Sequence, residues 1–213
     1  MDNTHLQVMD HPLVKHKISL LRDKNTPVKD FRELIKEVAL LLAYEATQDC
    51  PLQEIAVETP LERTSGWKLA ASKICIVPIL RAGLGMVDGF LTLMPTAKVG
   101  HIGLQRNEET LEPMTYYDKM PPGVEDMLVI VVDPMLATGG SACAAIASLK
   151  QKGVRQIKLA AVIATEVGIE AVQAAHPEVE ITVAQLDGNL NDKGYIVPGL
   201  GDAGDRIFGT LAE

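Results

Sequence analysis

The segment from Leu128 to Ser141 constrains the fold of this chain more than any other stretch does. It begins with five apolar, mostly β-branched residues, Leu128–Val132, which predict a strand that is buried on both faces. An acid, Asp133, follows directly, and a short loop then ends in Thr138-Gly139-Gly140-Ser141. A helical pattern comes next, with an apolar face formed by Ala144, Ala145, Ile146 and Leu149. The segment therefore predicts a buried strand, a glycine turn and a helix in that order.

The turn at Thr138–Ser141 has the features of a phosphate-binding loop. The backbone N–H groups of Gly139 and Gly140 are unobstructed by side chains, and they lie at a helix N-terminus, where an anion is favoured. The hydroxyls of Thr138 and Ser141 add two further donors. A helix-capping turn without a ligand is the alternative, because a glycine pair alone is weak evidence. The order of strand, acid, glycines and helix favours phosphate binding.

Asp133 stands at the end of the predicted strand, where its carboxylate would repel a phosphate. It therefore suits a different partner. Sugar hydroxyls donate hydrogen bonds to carboxylates, and Mg²⁺ is held by carboxylate oxygens. We expect Asp133 to bind sugar hydroxyls or a nearby Mg²⁺ ion.

A second buried strand is predicted at Ile74–Leu80, and Arg81 follows it with the small residues Ala82 and Gly83. Open α/β sheets bind their ligands at the carboxyl ends of such strands. A guanidinium cannot remain in an apolar strand at low cost, so Arg81 either reaches solvent or faces an anion. The residues alone leave both alternatives open.

A polar excursion follows the strand predicted from Ala97 to Leu104 and includes Gln105–Thr110 and Met114–Lys119. This pattern predicts a protruding hairpin or mobile arm over about residues 104–119. Arg106 lies in the excursion near two glutamates. A solvated loop arginine is the more common fate of such a residue.

Strand and helix patterns alternate through most of the remaining chain. Helices are predicted from about His11 to Arg22, with Leu13, Lys17, Leu20 and Leu21 along one side, from about Val28 to Thr47, and near Val167–Ala175. Strands are predicted at Glu54–Thr59, Ile157–Ala164 and Val179–Leu186, and the polar stretch around Trp67 could be helical. We therefore expect an α/β fold in which an open, mainly parallel sheet carries helices on both faces, with residues 1–213 in one domain.

The composition excludes several other classes of protein. The net charge of −8 argues against a broad nucleic-acid surface, and no apolar run approaches the ~18–20 residues of a membrane helix. Because of its acids and histidines, we do not expect the N-terminal stretch to be a signal peptide. Cys50, Cys75 and Cys143 show no Cys-x-x-Cys spacing, which predicts buried thiols in a reducing cytosol and no metal site. We expect a cytoplasmic protein with neither a nucleic-acid nor a membrane partner.

The last thirty residues are rich in glycine. Gly199–Gly204 matches the G-x-G-x-x-G dinucleotide pattern, but only nine residues follow Gly204, too few for the helix, strand and acid that the pattern requires. Gly139–Cys143 likewise lacks the second glycine of the G-x-S-x-G nucleophile elbow, so a serine hydrolase is not supported. Exposed glycine backbone suits recognition of a small planar ligand through its edge, and a plain surface loop is the alternative.

Four motifs in this chain resemble those of the phosphoribosyltransferases, and most closely the uracil phosphoribosyltransferase family. They are Asp133–Ser141, Pro78–Gly85, Arg106–Thr110 and the tail from Asn189 to Arg206. Most of the wider family has two adjacent acids at the first motif. Pro134 stands in place of the second acid here, which resembles the uracil branch. The resemblance runs from His11 to Thr210 and thus covers nearly the whole chain.

The resemblance implies a β-arm over about residues 104–119 and a C-terminal base-binding hood over about residues 187–210. It implies transfer of the phosphoribosyl group of 5-phosphoribosyl 1-diphosphate (PRPP) to uracil, giving UMP and diphosphate in pyrimidine salvage, with Mg²⁺ bound along with PRPP. Implied PRPP contacts are Arg81, Arg106, Asp133, Pro134, Met135, Leu136, Ala137, Thr138, Gly139, Gly140, Ser141 and Asp202. Implied uracil contacts are Ile196, Gly201, Asp202 and Ala203, and the implied catalytic residues are Asp133, Asp202 and Arg106.

A competing class is a regulator that senses PRPP and controls transcription or RNA. Such a protein would share the central motif, but it should carry a nucleic-acid module or a basic face, and it has no reason to keep a hood fitted to a pyrimidine. We therefore favour the enzyme. The arm and the helical stripe of Val28–Thr47 suggest a homodimer or a higher homo-oligomer. Some relatives respond to GTP, which makes an allosteric GTP effector an expectation, although no motif here assigns its site.

Overall fold

The computed structural model describes residues 5–69, 73–106 and 113–210, with Arg106 and Pro113 described by their backbone alone. The helices of the described residues are α1 (Pro12–Arg22), α2 (Val28–Ala46), α3 (Leu84–Leu93), α4 (Gly140–Gln151), α5 (Glu166–Ala175) and α6 (Ala203–Phe208). The strands are β1 (Leu6–Val8), β2 (Leu52–Glu58), β3 (Arg63–Leu69), β4 (Ile74–Leu80), β5 (Lys98–Val99), β6 (His101–Arg106), β7 (Pro113–Lys119), β8 (Leu128–Leu136), β9 (Gln156–Thr165), β10 (Glu180–Asp187), β11 (Asn189–Leu190) and β12 (Ile196–Val197).

A single large sheet organises the molecule, in the strand order β1-β10-β9-β8-β4-β6-β7, with β5 also beside β4. Each neighbouring pair is parallel except β6 and β7, which are antiparallel. The two strands predicted to deliver site residues are direct neighbours, with Ile76 opposite Ile130 and Pro78 opposite Val132. The expected open, mainly parallel sheet is therefore confirmed. The β6–β7 pair includes both ends of the segment predicted as the arm, and residues 107–112 lie outside the described residues.

Helices cover both faces of this sheet, as the alternation of strands and helices predicted. Successive strand residues point to opposite faces, so each face has its own core. Ile130 and Val132 belong to the core beneath α1, α2, α3 and α6. Val129 and Val131 belong to the core beneath α4 and α5. The helices α4 and α6 consequently lie on opposite faces of the sheet, and the glycine turn before α4 lies at the carboxyl end of β8.

The central strand is longer than the sequence pattern predicted. β8 continues through Asp133 to Leu136, where we expected a loop. The reason is that β9 extends alongside it: Ala161 pairs with Asp133, and Ile163 pairs with Met135. Pro134 has no N–H, and it lies between these two paired positions. The extra strand residues fix Asp133 on the sheet rather than on a loop.

Two other local predictions were only partly right. In α1 the buried residues are Val14, Ile18 and Leu21, whereas Leu13 is exposed, because contact with α2 selects the face that lies next to it. The strand expected at Ala97–Leu104 is divided at Gly100, whose amide donates to the carbonyl of Ile76 at 3.0 Å.

The stretch around Trp67, which could have been helical, is a strand. β3 pairs antiparallel with β2 and forms a two-stranded sheet separate from the main one. The Leu52 and Leu69 side chains stand opposite each other in this pair, beside Glu54 and Trp67. Trp67 is 65% exposed in the single chain.

Candidate active site

The carboxyl ends of β4 and β8 meet the C-terminal segment around one cleft of about 300 Å³. The sheet side of this cleft is formed by Ala82, Asp133, Met135, Ala137 and Ser141, and the C-terminal side by Gly194, Tyr195, Ile196, Gly201, Asp202, Ala203 and Gly204. Two motifs that are far apart in sequence therefore share a cavity. Asp133, Met135, Ala137 and Ser141, of the predicted PRPP contacts, line it together with every predicted uracil contact.

The glycine turn forms a smaller pocket of about 120 Å³ next to Asp133, lined by Met135 through Ala142. Gly139 has φ +81°, a left-handed conformation that favours glycine, and α4 begins at Gly140. The backbone N–H groups at this helix start therefore face a pocket large enough for one anion such as a phosphate.

The turn is seated on the start of α5 by residues that the sequence reading missed. The Thr165 hydroxyl donates to the carbonyl of Ala137 at 2.6 Å and accepts from the N–H of Gly168 at 3.0 Å. A Cβ at Gly168 would lie 2.5 Å from that same carbonyl. The close approach therefore requires glycine at position 168. The only signal in the sequence was that Thr165 stands three residues before Gly168. Thr165 also caps α5.

Asp133 lies where the two pockets join, because it lines both of them. Burial raises the pKa of its carboxyl to about 7, and the hydrogen bond from the N–H of Met135, at 3.3 Å, lowers the pKa and only partly offsets this effect. Near neutral pH the ligand-free site therefore holds this carboxyl in both protonation states. A positive or hydrogen-donating ligand would favour the ionised form.

Arg81 emerges from β4 at the rim of the site, and its side chain is 58% exposed. Its guanidinium lies 3.2 Å from the carboxylate of Asp205 and 5.9 Å from the centre of the Phe208 ring. Arg81 thus reaches solvent and is held by α6. This position is compatible with both alternatives that the sequence left open, namely that Arg81 reaches solvent or that it faces an anion. Asp205 is a neighbour that sequence reasoning did not identify, because 124 residues separate the pair.

Asp202 has a structural role in addition to the role predicted for it. Its carboxylate caps α6 by accepting from the N–H of Asp205 at 2.8 Å, and Ala203 after it is buried. Ile196, on the same C-terminal side of the cleft, is also buried. Gly201 has φ +78°, which only glycine adopts readily. The predicted base contacts are therefore backbone-rich and surround a carboxylate that remains partly exposed.

Arg206, which follows the acids of the tail, is buried beneath the cleft rather than directed into it. Its guanidinium stacks on the Phe31 ring at 4.2 Å and donates to the carbonyls of Leu200 at 2.8 Å and Asp23 at 2.6 Å. Arg106 cannot be placed in the same way: its backbone ends β6, and its side chain lies outside the described residues, as do residues 107–112.

Other chemistries find little support in the part of the chain that is described. No group of three or more His, Cys, Asp or Glu side chains suited to a metal ion occurs there, and none of its helices is long and apolar enough to cross a membrane. Cys50 and Cys75 are buried free thiols, and Cys143 is a half-buried one. Burial raises the pKa of the Cys75 thiol to about 11, which keeps it protonated and unreactive at neutral pH.

Comparison with known proteins gives consistent results over almost the full length. A sequence model of the family described as uracil phosphoribosyltransferase matches residues 8–210. The uracil phosphoribosyltransferase of Thermoanaerobacter sp. (strain X514) is 61% identical over 203 residues, which cover 95% of this chain and 97% of that protein. The one from Bacillus thuringiensis (strain Al Hakam) is 58% identical over 205 residues, covering 96% and 98%.

Solved structures give the same picture of the fold. The AQ2163 protein from Aquifex aeolicus superposes with a TM-score of 0.90 at 41% identity, covering 98% of this chain and 100% of that one. An adenine phosphoribosyltransferase from Trypanosoma brucei superposes with a TM-score of 0.56 at 12% identity and covers 83% of this chain and 80% of that one. At that identity the second likeness concerns the fold alone.

Proposed function

The chain belongs to the uracil phosphoribosyltransferase family, and from that membership we propose that it transfers the phosphoribosyl group of PRPP to uracil, giving UMP and diphosphate. The observation that best supports this proposal is the shared cleft, in which the predicted phosphate-binding turn and the glycine-rich tail face each other. A phosphorylated sugar and a planar base must be held side by side for this reaction. Pyrimidine salvage is the corresponding metabolic role.

The PRPP-binding part of the proposal rests on the anion pocket and its rim. The backbone from Met135 to Ser141 holds the 5′-phosphate, with the Thr138 and Ser141 hydroxyls as further donors. The carboxylate of Asp133 accepts hydrogen bonds from the ribose hydroxyls. Arg81 leaves Asp205 to contact the diphosphate, for which its planar fork is suited. Pro134 and Leu136 shape the strand end, and Arg106 and Asp202 complete the predicted PRPP contacts.

The base-binding part of the proposal rests on the opposite wall. Uracil presents acceptor, donor and acceptor groups along O2, N3–H and O4, and peptide groups at Ile196 and Gly201–Ala203 are the complementary partners. A backbone that donates and accepts at fixed positions discriminates between bases by the pattern of their edges. This wall also distinguishes the enzyme from a PRPP-sensing regulator.

Catalysis in this proposal is positioning plus electrostatic stabilisation of the departing diphosphate. Asp133, Arg106 and Asp202 are the catalytic residues: Arg106 and Arg81 neutralise the leaving group, and Asp133 orients the ribose. Asp202, with one carboxylate oxygen occupied by the N–H of Asp205, retains an oxygen that accepts the N1 proton of uracil. The sugar centre that forms is cationic, so closure of the arm over it would exclude water.

Mg²⁺ belongs to this proposal as an ion bound with PRPP. The carboxylates of Asp133 and Asp202 line the same cleft, and a site of one or two carboxylates plus substrate phosphates is typical of Mg²⁺. The donor set therefore fits an ion that enters with the diphosphate rather than a dedicated protein cage. When bound, Mg²⁺ neutralises charge on the leaving diphosphate.

The proposal further includes a homodimer or higher homo-oligomer, built on the β2–β3 hairpin. A two-stranded hairpin is marginally stable alone in water, and this one carries Leu52, Trp67 and Leu69 with more than a third of each side chain exposed. A second copy of the chain would bury these residues. We further propose that residues 1–213 act as one domain in the cytoplasm. GTP is a candidate allosteric effector, and adding it to the activity assay measures its influence.

The decisive experiment measures nucleotide formation from PRPP and Mg²⁺ with uracil, cytosine, hypoxanthine and orotate in parallel. Turnover with uracil alone is the expected result. Turnover with another base would retain the PRPP site and overturn the assignment of the tail. Tight PRPP binding without turnover on any base would favour the regulator instead.

A further inference from the structure

The hood is attached to the body by charged groups that the proposed reaction does not use. Arg22, at the end of α1, donates to both carboxylate oxygens of Asp187, at 2.8 and 2.6 Å. Asp187 ends β10. The same two residues hold Gly199: its N–H donates to Asp187 at 2.9 Å, and its carbonyl accepts from Arg22 at 2.9 Å. We name Arg22, Asp187 and Gly199 the hood clamp.

The clamp acts at the point that connects the two halves of the base-binding wall. Gly199 follows Ile196 by three residues and precedes Gly201–Ala203 by two. It has φ +54°, and a Cβ there would lie 2.1 Å from the carbonyl of Ile196, so the turn is tight. Both polar backbone atoms of Gly199 are held by the clamp, which therefore fixes the path of the backbone on each side.

The end of α1 makes a second attachment one residue further along. Arg206 donates to the carbonyl of Leu200 in the hood and to the carbonyls of Leu21 and Asp23, which flank Arg22. Gly199 and the next residue, Leu200, are thus both tied to the same helix end. α1 therefore supports the hood from behind, although none of its residues lines the cleft.

The clamp is a largely buried contact between opposite charges. The Asp187 side chain is 3% exposed and the Arg22 side chain 25%. Two-pronged, charge-assisted hydrogen bonds of this kind are the stronger class, and removal of one partner leaves the other charge buried and unpaired. Substitution of Arg22 therefore releases Gly199 and leaves an uncompensated Asp187 beside it.

We propose that Arg22 and Asp187 are positioning residues for the base, which set the affinity and selectivity for uracil without touching it. The proposal rests on the function proposed above, because it takes the Ile196 and Gly201–Ala203 backbone as the base site. Recognition through backbone groups depends on their exact placement to a fraction of an ångström. The PRPP contacts of Asp133–Ser141 lie on the sheet side of the cleft, which the clamp does not contact, and only Asp202 lies on the hood, so PRPP binding depends on the clamp far less than uracil binding does.

The test compares Arg22→Gln, Arg22→Lys and Asp187→Asn with Lys158→Gln as the matched control. Lys158 is a largely buried cation whose partners are Asp49 and Glu180, and it lies at the amino ends of β9 and β10, away from the cleft. For Arg22→Gln and Asp187→Asn we expect the KM for uracil to rise about tenfold, which corresponds to about 1.4 kcal/mol, with the KM for PRPP changed less than twofold. Arg22→Lys, which keeps the charge, should recover part of this loss.

Lys158→Gln should lower the unfolding temperature and leave both KM values unchanged. If Arg22→Gln lowers the unfolding temperature but leaves the KM for uracil unchanged, the clamp is only structural and the proposal is overturned. An equal rise in the KM values of both substrates would overturn it as well.

Hydrogen exchange of the amides from Gly199 to Ala203 provides a second readout that needs no turnover. We expect these amides to exchange faster in Arg22→Gln than in the wild type and the Lys158→Gln control. Unchanged exchange would overturn the proposal. If the wild type fails to convert uracil, the proposed function fails, whereas the exchange result still reports on the clamp by itself.

Discussion

At the scale of single residues, the chemistry that we propose for the cleft depends on two acids in different environments. Asp133 is held at the junction of two pockets where burial disfavours its charge, whereas Asp202 is partly exposed and caps a helix. The first acid is therefore suited to a ligand that supplies positive charge or hydrogen-bond donors. The second is available as an acceptor. Substitution by asparagine separates these roles because it removes the charge and keeps the shape.

Asp133→Asn should stabilise the ligand-free protein above pH 7. The folded carboxyl has its pKa raised to about 7, so the native state keeps a proton that the unfolded chain loses near pH 4, and stability falls as pH rises between these values. The variant lacks this loss, which amounts to roughly 2–4 kcal/mol. Thermal unfolding of both proteins at pH 5 and pH 8 checks the prediction. A variant that is less stable than the wild type at pH 8 would contradict it.

Activity of the same variant should fall on the order of 100-fold at saturating uracil, because the amide cannot replace the carboxylate toward ribose hydroxyls or Mg²⁺. We expect the gain in stability and the loss in rate together. Without a ligand, the site disfavours the charged form of Asp133, but the substrate requires that charge.

Asp202→Asn should lower kcat by about 100-fold with an unchanged unfolding temperature, because asparagine caps a helix as well as aspartate does but is a poor proton acceptor. Steady-state kinetics and a thermal unfolding curve on one preparation are sufficient. If the rate is retained and only the affinity for uracil changes, Asp202 does not accept the N1 proton.

At the scale of the elements, the turn that we predict to bind phosphate packs against the start of a helix that does not line its pocket. Thr165, which ends β9 and caps α5, and Gly168 of α5 contact the carbonyl of Ala137 from behind the turn. The hood depends similarly on α1. In both cases an element that lines neither pocket contacts backbone that we predict to bind substrate, so we expect mutations there to affect binding through the position of that backbone.

Gly168→Ala should weaken PRPP binding and destabilise the protein by about 1–3 kcal/mol, because the new Cβ would lie 2.5 Å from the Ala137 carbonyl and force the turn outward. The KM for PRPP and a denaturant unfolding curve measure the two effects. Gly188→Ala is the control for stability, since no atom lies within 4 Å of a Cβ at that position. Equal unfolding midpoints for the two variants would show that the turn is not tightly seated.

At the scale of the whole molecule, the carboxyl ends of two central strands bring the predicted substrate contacts together, and a separate hairpin is left uncovered in the single chain. The strands β4 and β8 and the hood converge on the cleft, while β2 and β3 pair only with each other among the described strands. The exposed apolar side chains of that hairpin favour assembly. The proposed assembly would therefore depend on this hairpin and not on the residues of the cleft.

Because Trp67 is the single tryptophan of the chain and lies in the hairpin, its fluorescence reports directly on assembly. Dilution should shift its emission to longer wavelength as copies dissociate, in parallel with a fall in mass measured by light scattering. The double variant Leu52→Ser/Leu69→Ser should be monomeric at concentrations where the wild type is not. Val167→Ser, which alters an exposed residue of α5, is the control. A wild type of 23.0 kDa at all concentrations would contradict the proposed homo-oligomer.

The sequence by itself determined the features that are local. The apolar run of Leu128–Val132, the acid after it and the glycines at positions 139 and 140 predicted a central strand followed by an anion-binding turn, because β-branched runs and glycine turns act through the adjacent backbone. The alternation of such patterns predicted the parallel sheet with helices on both faces, which is confirmed. The four motifs in order indicated the family, which the comparisons established.

Only the tertiary structure decided which distant groups meet. Arg81 with Asp205, Arg22 with Asp187 and Thr165 with Ala137 are contacts between elements, and no local pattern in the chain indicates any of them. The extension of β8 through Asp133 and the strand at Trp67 have the same origin, since a strand exists only where a partner strand provides hydrogen bonds. Local conformational preference is encoded residue by residue, whereas burial and pairing depend on the whole fold.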